Sequence, residues 1–168
     1  ADAANAWRNI ARVADQRGAV VGLLLAAYHT GGYSVFQQAP LPHEAAREAI
    51  QPTNAEGLLA EAEAAIRDND QARATAAVHQ YGQRGFAERP VFDLMLRYSI
   101  SEDGRLHAEK YYRTVTEEFA TVRPKLRWQL LVGLARVTAS AYGYSVDDRH
   151  GHRAPGYLQA CELLNLPA

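Results

Sequence analysis

Hydrophobic residues recur every three or four positions along most of the chain, with polar residues between them. This spacing places one apolar stripe along a helix, whereas a half-buried strand would alternate at every second position. The pattern predicts helices over residues 3–28, 43–50, 55–67, 70–82, 90–100, 103–122, 124–142 and 157–166. No second strand candidate is present to pair with the short aromatic run at 33–36. We therefore expect an all-α fold, a single compact bundle of seven to eight helices.

Helix ends are marked by residues that cap or interrupt the backbone hydrogen bonds. Thr53 or Asn54 can accept backbone N–H groups at the start of 55–67, and Gly18 interrupts 3–28, which fits one bent helix or two. Prolines make 37–53 linker-like, and 143–156 is a polar, glycine-bearing loop. These breaks lie within one predicted domain that spans residues 1–168.

Two consecutive helices are expected to organise the bundle. The helix over 103–122 has an apolar stripe beside polar and charged residues, so its face is chemically mixed. The helix over 124–142 is the most apolar of the chain and is predicted to lie at the centre of the core. On the helix over 70–82, small residues form a narrow face that another helix can approach closely.

Composition narrows the classes of function. The chain has 168 residues, and its net charge of −1 provides no field that would attract nucleic acid. The apolar run 19–28 is about half the length that a membrane-spanning helix needs, so we expect no membrane insertion. The single cysteine, Cys161, is expected to be buried and inert, and it leaves the compartment open. The chain begins with alanine, so a removed leader and a longer parent protein both stay open.

Two histidines within predicted helices are the main candidates for chemistry. His79 and His107 lie on faces expected to be partly buried, and each can simply bond a carbonyl or carboxylate. Alternatively, they line one pocket between helices together with Glu109, Tyr111 or His29. His107, in the first turn of its helix, is expected to be held neutral against a neighbouring helix.

A second group of candidate residues lies in the polar loop. It consists of two carboxylates and two imidazoles within six residues: Asp147, Asp148, His150 and His152. All four can bind a divalent ion, but we favour a solvated loop, because convergence on a metal would cost ordering entropy. No H-E-x-x-H or Glu-x-x-His pair, nucleophile elbow or phosphate-binding glycine loop is present.

Three segments carry a resemblance to a known family. They are the segments 36–42 (FQQAPLP), 58–82 and 101–119, the last with an acidic turn before His107 and an amphipathic aromatic helix. From Phe36 onwards their order resembles the all-α C-terminal region that follows the cluster-binding module in bacterial Rieske-type 2Fe–2S proteins. A Rieske cluster needs two cysteines and two histidines, and this chain has one cysteine, so it cannot hold one.

Two functions follow as expectations. The resemblance and the lack of a catalytic motif favour an accessory or protein-interaction helical domain of a redox or biosynthetic system, with another protein chain or domain as its partner and no cofactor. The alternative is a small all-α enzyme or cofactor-binding protein with a histidine-containing pocket between helices. The sequence leaves open whether the protein is an enzyme.

Overall fold

The computed structural model describes residues 2–32, 42, 44–99, 105–142 and 163–166. Every regular element within these residues is helical, which confirms the predicted all-α class. A short 3-10 turn at Pro124–Leu126 precedes the last long helix. The α-helices are α1 (Asp2–Val13), α2 (Gln16–Gly32), α3 (Glu44–Ala49), α4 (Ala55–Arg67), α5 (Gln71–Gln83), α6 (Arg89–Ser99), α7 (Arg105–Thr121) and α8 (Arg127–Ala141). None of the helices described is both long enough and apolar enough to cross a lipid bilayer.

The chain divides into two compact units, an N-terminal unit of residues 1–39 and a C-terminal unit of residues 40–168. The prediction of a single domain stays a prediction. Among the described residues, α1 and α2 form the first unit, and α3 to α8 belong to the second. Of the predicted final helix 157–166, only 163–166 are described, and Leu163 and Leu164 are exposed there.

The N-terminal unit is a helical hairpin. Its two helices separate at Asp15, whose carboxylate accepts the backbone N–H of Gly18 at 2.7 Å and so begins α2. The break between the two helices therefore falls at Asp15, three residues before the expected Gly18, and α2 begins at an acidic cap rather than at a glycine. Gly22 is buried against α1, where a Cβ would lie 3.2 Å from the carbonyl oxygen of Trp7. Glycine at this position allows the two helices to approach closely.

The core of the C-terminal unit surrounds α8, as the sequence pattern predicts. This helix contacts α4, α5, α6 and α7. Leu131, Leu134 and Ala135 have no exposed surface, and neither has Thr138. Small residues of α5 let it lie close to α8, and Gly82 lies directly under the indole ring of Trp128. Close packing of this kind excludes water and makes the interface sensitive to added volume.

Side-chain caps fix the α4–α5 corner. Asn54, one of the two predicted candidates, is the cap of α4, and its Oδ1 accepts the backbone N–H of Gly57 at 2.7 Å. Asp70 caps α5 in the same way through the N–H of Arg73 at 2.9 Å. Between them, Asn69 has a positive φ of 56°, and its amide donates to the carbonyl oxygen of Tyr142 at 2.6 Å. The hydrogen bond from Asn69 therefore joins the α4–α5 corner to the end of α8.

Candidate functional site

The structure separates the residues predicted to share one histidine pocket. His107 and Glu109 are exposed on α7, and Tyr111 is half-buried with its hydroxyl against Gly133 of α8. The expected partial burial of His107 is wrong, because Ala108 is buried and the His107 side chain lies about 100° away from it around the helix.

The remaining candidates lie in the N-terminal unit or outside the described residues. His29 is half-buried in the N-terminal unit, with its ring centroid 5.9 Å from that of Tyr28. Asp147, Asp148, His150 and His152 fall outside the described residues, and so does Cys161. Within the residues that are described, no group of three or more His, Cys, Asp or Glu side chains could hold a metal ion.

His79 lines a cleft between α3 and α5. The cleft has a volume of about 290 Å³. Gln80 holds its two walls together, because its Nε2 donates to the carbonyl oxygen of Arg47 at 2.6 Å. The lining residues are Glu44, Arg47, Glu48, His79, Gln80, Gln83 and Arg84. The described lining is therefore polar, with charges of both signs and the imidazole of His79.

The environment of His79 favours its neutral form. Burial lowers the pKa of the imidazole below its ordinary value of 6.5, and the nearby Arg47 guanidinium lowers it further. Nδ1 is buried and has no hydrogen-bond partner. A buried N–H without an acceptor is less tolerated than an unused lone pair, so we place the proton of the neutral ring on Nε2.

This lowered pKa makes the stability of the C-terminal unit depend on pH. As pH falls below 6.5, His79 takes up a proton in the unfolded chain before it does so in the folded protein, and this favours unfolding. The stability that neutral His79 contributes above pH 6.5 is therefore lost as pH falls through its folded-state pKa. Arg47 and Arg84 oppose the imidazolium, whereas Glu44 and Glu48 across the cleft favour it. We expect wild type to lose more unfolding free energy than His79→Gln between pH 7.5 and about pH 5 in urea titrations. An equal loss in both proteins would contradict a neutral folded-state imidazole.

A second depression lies between α4 and α6. Its volume is about 380 Å³, and apolar side chains such as Leu59 and Leu94 form part of its lining. At its edge the buried Tyr98 donates its hydroxyl to Glu63 at 2.6 Å. Burial first, and this hydrogen bond second, raise the pKa of Tyr98 to about 12. Glu63 also pairs with Arg67 at 3.0 Å, so these charges already have partners within the protein.

Comparisons with protein-family models, curated proteins and solved structures gave no match to this chain. The chemistry of the cleft and of the exposed surfaces therefore has to be derived from their own residues.

An exposed apolar surface lies on α2. We call the outward side of this helix the α2 face, and it consists of Val20, Val21, Leu23, Leu24, Ala27 and Tyr28, all exposed. Leu24 is 66% exposed and Tyr28 74%. The opposite side, with Gly22 and Ala26, is buried in the hairpin. The sequence contains the signal for this surface, because no Asp, Glu, Lys or Arg occurs between positions 18 and 32.

Proposed function

We propose that this protein is an accessory, protein-interaction helical domain and that another protein chain docks on the α2 face. The observation that carries the proposal is the apolar character of α2 on its outward side as well as its inward side. A helix that is apolar all round is normally buried on every side. The α1–α2 hairpin buries only one of those sides.

The chemistry of the α2 face defines the partner. The face carries no charged side chain, so it offers no salt bridge and a charged partner surface would be desolvated without compensation. Branched aliphatic side chains and one tyrosine instead fit an apolar helix or groove of comparable size. We infer a partner that presents an apolar surface, with affinity supplied by buried area.

The association with a redox or biosynthetic system is a separate part of the proposal. Its support is the sequence resemblance of 36–42, 58–82 and 101–119 to the helical region of Rieske-type proteins. In such a system this chain would act as a helical partner, since its one cysteine excludes a cluster of its own.

The alternative, an enzyme or cofactor-binding protein, has one observation in its favour, which is the His79 cleft. Among the described residues, its lining includes no serine, cysteine or second histidine, and the exposed His107 of α7 is not part of it. The described lining residues therefore offer no nucleophile that a neighbouring imidazole could activate. The cleft favours binding over catalysis.

Charge placed on the α2 face should abolish docking. We expect Leu24→Glu to weaken association at least about a hundredfold, because a buried leucine contributes about 1.5–3 kcal/mol and a buried carboxylate is penalised in addition. The measurement is the elution size of the tagged chain in gently prepared extracts of its native cells. Wild type should elute in a complex well above its 18.5 kDa, and Leu24→Glu at the size of the free chain.

Gln129→Glu is the matched control, since it makes the same charge change at an exposed position of α8. It should elute with the wild-type complex. Both variants should keep the unfolding free energy of the isolated chain within about 0.5 kcal/mol, because both positions are exposed. If wild type and Leu24→Glu elute together, whatever their size, the α2 face is not the docking surface.

A further inference from the structure

The arginines of the His79 cleft differ from most others in the C-terminal unit. Arg47 and Arg84 have exposed side chains and, within the described part of the chain, make no ion pair with a carboxylate. Arginines paired with a carboxylate elsewhere in the unit are Arg67, Arg73, Arg89, Arg97 and Arg113. Guanidinium groups are strong carboxylate and phosphate binders, so two unpaired ones in one cleft are available to a ligand.

The same cleft holds two carboxylates without an ion-pair partner among the described residues. Glu44 and Glu48 lie four positions apart on α3, and therefore on the same side of that helix. The lining thus has two positive and two negative side chains. A simple anion would be opposed by the glutamates and a simple cation by the arginines, so the charge pattern favours a ligand that carries both charges.

The remaining polar groups complete this pattern. With its proton on Nε2, the neutral ring of His79 adds a hydrogen-bond donor to the lining of the cleft. Gln83 adds an amide with both donor and acceptor atoms. The volume of about 290 Å³ lies at the lower end of ligand pockets, which suits a molecule of amino-acid size.

We propose that the cleft between α3 and α5 binds a small zwitterion of the free amino acid class. Its carboxylate lies against Arg47 and Arg84 and accepts from His79, and its ammonium group lies against Glu44 and Glu48. Gln80 positions this arrangement, since its bond to the Arg47 carbonyl fixes α3 beside α5. The site belongs to the C-terminal unit and is independent of docking on the α2 face.

Isothermal titration of the full chain with each of the twenty proteinogenic amino acids, one at a time at pH 7.5 and low salt, tests the proposal. Succinate serves as the anion without an ammonium group, and putrescine as the cation without a carboxylate. We expect at least one amino acid to bind one-to-one, at least about tenfold more tightly than either single-charge probe. Absence of saturable binding by all twenty, or binding of succinate or putrescine that is as tight, would overturn the proposal.

Variants then locate the site. Arg47→Gln and Glu48→Gln should each weaken amino-acid binding about tenfold or more, since each removes a charged partner of the ligand. Arg113→Gln makes the same charge change as Arg47→Gln on α7, where Arg113 pairs with Glu117 at 3.0 Å, and it should bind as wild type does. All three positions are exposed, and circular dichroism should show unchanged helix content. Equal weakening in Arg113→Gln would show a nonspecific charge effect and contradict the assignment.

Discussion

Gly82→Ala is expected to destabilise the C-terminal unit by about 1–3 kcal/mol, although alanine is the better helix former. A Cβ at position 82 would lie 2.6 Å from Cε3 and 2.8 Å from Cγ of Trp128. Cγ is the ring atom bonded to the Cβ of Trp128, so the overlap lies at the base of the side chain. Only a shift of the whole indole ring can relieve it. The ring would have to move away from Tyr81, whose ring centroid lies 5.9 Å from that of Trp128. The lost packing exceeds the gain in helix propensity of about 0.5–1 kcal/mol.

Urea denaturation followed by circular dichroism measures this loss, and Gly133→Ala is its control. Gly133 is also crowded and lies on the facing helix, but the nearest atom to its Cβ would be the Tyr111 hydroxyl at 2.8 Å. That oxygen is the only atom of Tyr111 within 3.0 Å, and Cζ lies at 3.7 Å, so a small shift of the ring relieves the contact and we expect a change of less than about 1 kcal/mol. Equal or increased stability of Gly82→Ala would contradict close packing of α5 on α8.

Leu134→Ala should produce the largest loss of stability, about 2–5 kcal/mol. Leu134 has no exposed surface and lies on α8, the helix that four other helices contact. Its truncation loses the transfer free energy of the removed methyl groups and leaves a cavity that several helices would have to move to fill. Chemical denaturation at pH 7.5 gives the value.

Leu24→Ala is the matched control for this substitution. Leu24 is 66% exposed, so the same truncation should change the unfolding free energy of the isolated chain by less than about 0.5 kcal/mol. A large loss of unfolding free energy in both variants would mean that Leu24 is buried in solution, which would contradict an open α2 face. A small loss in both variants would contradict the central position of α8.

Local signals predicted most of the helices. The span of α4 agrees with the expectation at both ends, because Asn54 caps its start and the polar turn after Arg67 ends it. Asp70 proved to be the cap of α5 rather than its first residue. Such boundaries depend on side-chain to backbone bonds only three residues apart, which a sequence shows directly.

The candidate site could not be predicted from local sequence signals, because it depends on how the helices pack on one another. His107 was expected to be partly buried, but the next residue, Ala108, is the buried one, and a shift of one position turns a side chain by about 100° around a helix. The His79 cleft exists because α3 packs on α5, and the bond between Gln80 and Arg47 joins residues far apart in sequence. The α2 face was visible in the sequence as a charge-free run, but which side of the run the hairpin covers depends on packing against α1.

Site-specific photocrosslinking from position 24 is the most direct test of docking on the α2 face. A photoreactive phenylalanine derivative replaces Leu24 in one protein and exposed Gln129 of α8 in another, and both are irradiated in their native cells. We expect a discrete adduct of this protein with a second chain from position 24 and none from position 129. No adduct from position 24, a crosslink confined to its own chain, or the same adduct from both positions would contradict docking on the α2 face.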